Sequence, residues 1–152
     1  MRTIHVSCPA PAAAEAVIDA LWSGAEWQAA WSGITGFDVD YDDGEHQAAR
    51  LHVDWDGEPR TLSLVRFRES ANAIAFFCPE APVPLSAQRG RWVAEPASGG
   101  SIVTAVRELD IVALPGESEA ARAARLETYV ARLQYRLGLI LESFAARLEA
   151  AA

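Results

Sequence analysis

The chain has 152 residues, of which 51% are hydrophobic and 22% are charged, and this length and composition indicate one folded domain, 1–152. Its formal net charge of −8 argues against a nucleic-acid partner and against binding to an anionic membrane surface. All thirteen basic residues are arginines, which excludes Schiff-base chemistry through a lysine and a lysine-dependent phosphate-binding loop.

The start of the chain and its cysteines favour a cytoplasmic protein. Residues 2–6 alternate between polar and apolar types, whereas a secretory leader needs an apolar run. No window of the sequence approaches the roughly 18 consecutive apolar residues of a membrane-spanning helix. Cys8 and Cys78 lie far apart without metal-ligand spacing, so we expect free thiols that pack as small hydrophobic groups, and we predict no metal site.

The first two thirds of the chain combine two short helices with many strands. Alternation predicts a first strand over 2–8, which Pro9 and Pro11 should end. The Ala-rich run 12–22 predicts a helix, and 25–31 predicts a second, shorter one. Further alternating runs between Gly, Pro and Asp turns predict six more strands: 37–41, 47–55, 61–68, 73–78, 88–94 and 101–112.

The last part of the chain, from about residue 117, has apolar residues at every third or fourth position and predicts one long amphipathic helix. This helix is the only predicted element large enough to cover one face of the sheet. We therefore expect an α+β fold, in which a curved, seven-stranded antiparallel sheet wraps around the C-terminal helix. The two short helices lie between the first and second strands, and a cavity lies between sheet and helix.

The strand 61–68 carries an unusual face, because Leu62, Leu64, Arg66 and Arg68 share one parity. A guanidinium stays charged and is costly to bury without a partner. Either these arginines lie on a wetted face, or at least one of them points into a cavity that holds an oxygen-rich ligand.

The order of elements is similar to that of the START-like helix-grip (SRPBCC) superfamily over essentially the whole chain. Three stretches resemble, more narrowly, the bacterial polyketide aromatase/cyclases. They are Trp27 with Gly33 and Ile34; then 65–68 with 74–76, 82–85 and 90–92; and finally Glu95-Pro96, Gly99-Gly100 and 103–110. The resemblance implies a single START-like aromatase/cyclase domain of antibiotic biosynthesis, which directs aldol cyclisation and dehydration of a poly-β-ketone in an internal hydrophobic pocket without a cofactor.

The resemblance also implies partners and pocket residues. The partners are the poly-β-ketone or another hydrophobic small molecule and the acyl carrier protein of a type II polyketide synthase, bound by a monomer or homodimer. The catalytic arginine falls on Arg66, which would anchor a carbonyl or enolate oxygen, with Arg68 as the fallback. The family's pocket residue on the last strand falls on Arg107. The other expected substrate-binding residues are Trp27, Ile34, Leu64, Gln88, Trp92, Tyr129 and Leu133.

A non-catalytic START-like protein that binds or transports a small hydrophobic ligand is the main alternative. It is motivated by the lack of a histidine base in the expected cavity, since His5 and His52 fall on polar strand faces and His46 follows a turn. For Arg66, the alternative is a solvated arginine or one paired with Glu69 or Glu95. If Arg66 is catalytic, we expect an Arg66→Ala variant to lose cyclisation and keep its fold.

Overall fold

The structure is a computed structural model that describes residues 1–151, with side chains described to residue 149. Within these residues the chain forms seven strands and three α-helices. In chain order they are β1 (Arg2–Ala10), α1 (Ala14–Trp22), α2 (Trp27–Ala30), β2 (Ile34–Asp42), β3 (His46–Trp55), β4 (Glu58–Ser70), β5 (Ala73–Phe77), β6 (Leu85–Ala97), β7 (Gly100–Ile111) and α3 (Glu119–Ala151). A short 3₁₀ turn, Gly24–Glu26, joins α1 to α2.

The strands form one sheet in the order β1-β7-β6-β5-β4-β3-β2, and every neighbouring pair is antiparallel. Consecutive strands from β2 to β7 are neighbours, and β1 closes the far side against β7. The buried stripe of α3, which includes Val130, Leu137, Leu141 and Phe144, joins the core of the sheet. The predicted α+β helix-grip fold is therefore confirmed, including the two short helices between the first two strands.

Some element boundaries differ from those predicted. The strand β1 continues through Pro9 to Ala10, where we expected it to stop. It is an edge strand, and a residue without an N–H is tolerated where one side of the ladder is free. The strand β6 begins at Leu85, three residues before the predicted start, and β2 begins at Ile34. The long β6 places more residues along the wall that faces α3.

A cluster of aromatic rings closes one end of the interior. The Trp27 ring stacks on Phe37 with 5.8 Å between centroids and meets Trp92 and Phe144 edge-on at 5.5 and 5.3 Å. Its indole N–H donates to the backbone carbonyl of Leu21 at 2.9 Å, so the buried polar group is satisfied. The short helix α2 is thus fixed against β2, β6 and α3 by one residue.

The cysteines are unpaired, as the sequence predicted. Cys8 and Cys78 are both free thiols. Cys78 is buried, and burial raises the pKa of its thiol to about 11, so it packs as a neutral group. No helix in the described part of the chain is both long enough and apolar enough to span a membrane.

The strand β2 forms the other edge of the sheet and is rich in carboxylates. Asp38 and Asp40 lie on this strand, and Asp42 and Asp43 lie at its end, before the turn to β3. Arg50 on β3 pairs with Asp40 through two hydrogen bonds of 2.9 Å. The other carboxylates of this edge also have partners. Asp38 contacts the His52 imidazole, Asp43 contacts that of His46, and Asp42 accepts hydrogen bonds from Trp22 and Gln47.

Candidate functional site: the interior cavity

A cavity that is partly open to solvent lies between the sheet and α3. The volume of the cavity is about 110 Å³. Engineered cavities of roughly 150 Å³ bind benzene, so the present space suits a small planar group better than a whole extended chain. All the predicted site residues except Arg68 line it: Trp27, Ile34, Leu64, Arg66, Gln88, Trp92, Arg107, Tyr129 and Leu133.

Five of these residues form apolar walls on different elements. Trp27 lies on α2, Ile34 at the start of β2, Leu64 on β4, Trp92 on β6 and Leu133 on α3. They come together because the inward positions of a strand repeat every second residue and those of a helix every third or fourth. Apolar walls of this kind favour a largely hydrophobic ligand.

The charged side chains in the cavity wall are all arginines. They are Arg60 and Arg66 on β4, Arg107 on β7 and Arg136 on α3, and no Asp, Glu or His of the described residues lines the cavity. Within a chain of net charge −8, this wall has the opposite sign. The cavity therefore suits a ligand that carries carbonyl or anionic oxygens.

Arg66 is buried, but its nitrogens are directed at protein groups. Its Nε donates to Oε1 of Gln47 at 2.8 Å, and its two terminal nitrogens donate to the backbone carbonyls of Leu21 and Trp22 at 2.7 and 2.6 Å. These carbonyls belong to the last residues of α1, where helical carbonyls lack a partner within the helix. Arg66 thus caps α1, and the catalytic role implied by the resemblance stays a prediction that these contacts do not support.

The Arg66 contacts belong to a buried polar network behind the cavity wall. Nε2 of Gln47 donates to the Trp22 carbonyl at 3.1 Å and to the Asp42 carboxylate at 3.2 Å. The indole N–H of Trp22 donates to the same carboxylate at 3.1 Å. Burial lowers the pKa of Arg66 to about 10, and Asp42 acts in the opposite direction. Neither sequence alternative for Arg66, solvent or a pair with Glu69 or Glu95, describes this arrangement.

Arg68 shares the inward face of β4 but does not line the cavity. Its Nη1 donates to the Asp19 carboxylate on α1 at 2.7 Å, and its guanidinium lies over the Trp22 ring, 5.0 Å from the centroid. Substrate binding by Arg68 thus stays a prediction that these contacts do not support, because the pair with Asp19 holds the side chain against α1.

Arg107 is buried, and in the described structure no salt bridge forms to it. Its guanidinium lies between the rings of Phe76 and Trp92, 4.5 and 4.4 Å from their centroids. Nη1 donates to the Val106 carbonyl at 2.8 Å and lies 3.5 Å from that of Arg91. Burial lowers the pKa of Arg107 to about 9, so the group is still protonated at neutral pH. It is a desolvated cation on the cavity wall.

Gly90 makes room for this arginine. It lies opposite Arg107 in the register of β6 and β7. A Cβ at this position would lie 2.2 Å from the Val106 carbonyl oxygen, 2.9 Å from the Phe76 ring and 3.0 Å from Cδ of Arg107. Any larger residue would therefore displace the backbone or the arginine, which gives a physical reason for glycine at this point of the strand.

Gln88 contributes a side-chain amide oxygen that is free to accept a hydrogen bond. It lies on β6 and lines the cavity, and its buried Oε1 has no hydrogen-bond partner in the described part of the protein. Buried amide oxygens are normally satisfied. The side-chain amide therefore offers a hydrogen bond to a ligand or to water in the cavity.

Two further residues of the cavity wall, Trp55 and Arg136, lie beside the predicted Tyr129 and were not among the predicted site residues. Trp55 stacks on Tyr129 with 6.0 Å between centroids, and the guanidinium of Arg136 lies 3.3 Å from the centroid of the Trp55 ring. We call Trp55, Tyr129 and Arg136 the mouth cluster. Arg136 could have been found, since it is three residues after Leu133 on the apolar stripe of α3, where an arginine is out of place.

The three histidines lie outside the cavity, as the sequence indicated. His5 and His46 are exposed. Nε2 of His52 is 2.7 Å from the Asp38 carboxylate, and Nδ1 is 2.9 Å from the Thr61 hydroxyl. These contacts lie on the outer side of the sheet, so His52 cannot reach a ligand in the interior.

No model of a protein family matches the chain, and no curated protein sequence matches it either. Its fold is nevertheless found in solved structures. The di-domain aromatase/cyclase StfQ of the steffimycin biosynthetic pathway superimposes with a TM-score of 0.85 and 18% identity. The match covers 98% of this chain but only 51% of StfQ, about half of its length.

Two further structures match over nearly their full length. The Zhui aromatase/cyclase from Streptomyces sp. R1128 has a TM-score of 0.81 and 20% identity, with 97% of this chain and 93% of Zhui covered. A START superfamily protein from Mycobacterium smegmatis has a TM-score of 0.71 and 15% identity, with 99% of both chains covered. This chain therefore has the START-like helix-grip fold that is found in polyketide aromatase/cyclases and in START superfamily proteins.

Proposed function

We propose that the protein is a cofactor-free polyketide aromatase/cyclase, which binds part of a poly-β-ketone in its cavity and directs aldol cyclisation and dehydration. The observation that carries this proposal is Arg107, a buried cation that lines a largely aromatic and aliphatic cavity and has no carboxylate partner among the described residues. The fold shared with StfQ and Zhui is consistent with it. The proposal covers the chain as one domain, 1–152.

The proposed reaction uses the acidity of the substrate itself. A methylene between two carbonyls loses a proton to water, the resulting enolate carbon attacks a ketone of the same chain, and a C–C bond forms while that ketone oxygen becomes an alkoxide. Arg107 binds the oxygen on which negative charge develops, since a fixed donor in a dry site stabilises an oxyanion strongly. The alkoxide then takes up a proton, and loss of water from the alcohol gives the unsaturated ring.

Tyr129 is proposed as a proton donor and not as a base. Burial is the largest influence on this phenol and raises its pKa to about 12, so it stays protonated at neutral pH. A neutral phenol in the cavity can donate to the alkoxide. The cavity walls would hold the reacting carbons close together, and such positioning can supply a large part of the rate enhancement.

The proposed role of Arg66 is indirect. By capping α1 it fixes Trp22 and Leu21, and through the Leu21 carbonyl it also fixes the Trp27 ring that lines the cavity. Arg66 would then be a positioning residue, and Arg107 the residue that touches the substrate.

The experiment is reconstitution with a minimal polyketide synthase that releases a reactive poly-β-ketone chain. We expect the wild-type protein to change the product distribution towards one ring pattern, and the Arg107→Met variant to leave the uncatalysed mixture. The control is Arg50→Met, which removes an equal charge on the outer side of the sheet. A folded Arg107→Met protein with wild-type products would refute the role of Arg107.

A binding or transport protein of the same fold is the second candidate. It is favoured by the cavity wall, which in the described structure holds neither a carboxylate nor an imidazole to act as a base. In the same reconstitution, this function predicts products identical to those formed without the protein, together with a ligand that stays bound through gel filtration.

An acyl carrier protein is a less well supported partner. A docking patch for such a protein would need exposed basic residues. Arg89 and Arg91 are exposed, but each is paired with a carboxylate, Glu108 and Glu69 respectively. Carrier proteins are acidic, so a neutralised patch gives them little electrostatic attraction. We therefore propose a hydrophobic small molecule with carbonyl or anionic oxygens as the main partner.

A further inference from the structure

The mouth cluster holds a cation with an unused hydrogen-bond donor. The guanidinium carbon of Arg136 lies 3.3 Å from the centroid of the Trp55 ring and 5.5 Å from that of the Trp31 ring. Its Nη1 atom is buried and has no hydrogen-bond partner among the described residues. A buried donor of a charged group is costly to leave unpaired, which indicates that this group is completed by something the protein chain does not supply.

The carboxylates near this cation do not neutralise it directly. Asp56 lies in the turn after Trp55, and Glu58 lies at the start of β4. Asp56 raises the Arg136 pKa by electrostatic attraction, without a salt bridge. No carboxylate of the described residues forms a salt bridge with Arg136, whereas Glu58 pairs with Arg60. Desolvation is the largest influence on the Arg136 side chain and lowers its pKa. The charge is thus partly removed from water without an ionic partner.

Tyr129 adds a second donor to the same place. It lies seven residues before Arg136 on α3, two helical turns away on one face. Both Arg136 and Arg60 influence the Tyr129 phenol electrostatically, so it lies within range of two guanidiniums. The phenol is neutral at ordinary pH and donates an O–H. The mouth therefore combines a stacked cation, a phenol donor and aromatic surfaces.

We propose that the mouth cluster is a second oxyanion-binding subsite, separate from Arg107, which takes a carboxylate or phosphate group carried by the ligand. A planar guanidinium can match the two oxygens of such a group, Nη1 of Arg136 is available to donate, and the close contact with the Trp55 ring restricts where the guanidinium lies. The group can be the ligand's own carboxylate or a phosphate on the arm that delivers it. The proposal rests on ligand binding in the cavity, which the cyclase and the binding function share, and not on cyclisation.

The test compares three probes of one shape by isothermal titration calorimetry: naphthoate, the isosteric but neutral naphthamide, and naphthyl phosphate. The variants are Arg136→Gln and the matched control Arg132→Gln. Arg132 is exposed and lies one turn before Arg136 on α3, so its substitution removes the same charge. We expect wild-type protein to prefer an anionic probe over naphthamide, and Arg136→Gln to lose roughly tenfold or more of that preference. Arg132→Gln should stay within about twofold of wild type, as is usual for exposed charges.

The two anionic probes distinguish the two possible sources of the anionic group, the ligand itself and the arm that delivers it. Tighter binding of naphthoate than of naphthyl phosphate supports a carboxylate on the ligand itself, and the reverse order supports a phosphate on a delivering arm. Equal losses in the two variants, or no preference for either anion in the wild-type protein, would overturn the subsite. If Arg136→Gln does not fold, Arg136→Met keeps the apolar contact with Trp55 and answers the same question.

The outcomes of this test and of the reconstitution are separable. An unchanged product distribution together with an Arg136-dependent preference for anions removes the cyclase function and keeps the subsite. Altered products together with no anion preference keep the cyclase function and remove the subsite.

Discussion

The two buried arginines of the cavity wall, Arg66 and Arg107, predict opposite effects on stability when each is replaced by methionine. Arg66→Met removes three hydrogen bonds from a charged group, each contributing about 1.5–3 kcal/mol. Removing the buried charge offsets part of this loss, because burial lowers the Arg66 pKa to about 10, which corresponds to a cost of about 3 kcal/mol. The expected net loss of stability is about 1.5–6 kcal/mol, a large share of the roughly 5–15 kcal/mol of a typical domain.

Arg107→Met should leave stability unchanged or raise it. Arg107 has one short hydrogen bond, to the Val106 carbonyl, and burial lowers its pKa further than that of Arg66, to about 9. Replacing a buried charge by an apolar side chain of similar length is often neutral or stabilising. The methionine also keeps an apolar contact between the Phe76 and Trp92 rings.

The assay is urea unfolding of the wild-type protein and both variants, followed by circular dichroism and analysed for the free energy of unfolding. If Arg66→Met loses activity, we expect it to lose stability as well, whereas the sequence predicted an intact fold for a substitution at this position. If Arg107→Met loses activity, we expect its stability to be unchanged or higher. An Arg66→Met protein within about 1 kcal/mol of wild type would refute the capping role, since one charged hydrogen bond exceeds that value. Equal destabilisation by both substitutions would refute the contrast between them.

Three further substitutions test other parts of the structure. Gly90→Ala should destabilise the protein by about 1–3 kcal/mol in urea unfolding, because its Cβ would meet the Val106 carbonyl oxygen at 2.2 Å; wild-type stability would contradict the close approach. Gln88→Leu should leave the unfolding free energy unchanged or raise it, because the buried Oε1 has no partner among the described residues, and should weaken binding of carbonyl-bearing ligands in calorimetry; a clear loss of stability would argue against an open amide. Asp43→Asn should lower the melting temperature at neutral pH but not near pH 2. The backbone N–H groups of His46 and Glu45 lower the Asp43 pKa from 3.8 to about 2. The stability that the carboxylate contributes is therefore present above about pH 4 and is lost as the pH falls towards 2. A difference in melting temperature that persists at pH 2 would contradict this assignment.

The order of elements was predictable because strand and helix periods in this sequence are clear and are separated by strong turn residues. The turns at Gly44 and Gly57 have positive φ angles of 87°, which glycine adopts without strain. Pro9 misled the prediction, since a proline ends a central strand but not necessarily an edge strand, and the alternation of 2–8 does not tell which kind β1 is. The long stripe of α3 identified the one helix that covers the sheet.

The side-chain partners in the site were less predictable. Parity grouped Arg66 with Leu62 and Leu64 on one face of β4, but its acceptors are Gln47 and carbonyls of α1, 44 and 45 residues earlier in the chain. Such partners follow from how α1 packs on the sheet, which no local pattern encodes. The resemblance indicated Arg107, yet only the structure shows that Phe76 and Trp92 enclose it.

The acidic outer edge, β2, has a consequence for how two copies of this protein meet. An unpaired strand can add a strand from another molecule, which is a common route to aggregation. Two such edges placed side by side would bring the exposed Asp38–His52 and Asp40–Arg50 pairs of one copy against those of the other, and charged side chains on an edge strand disfavour such pairing. These charged side chains therefore disfavour self-association of the protein through β2.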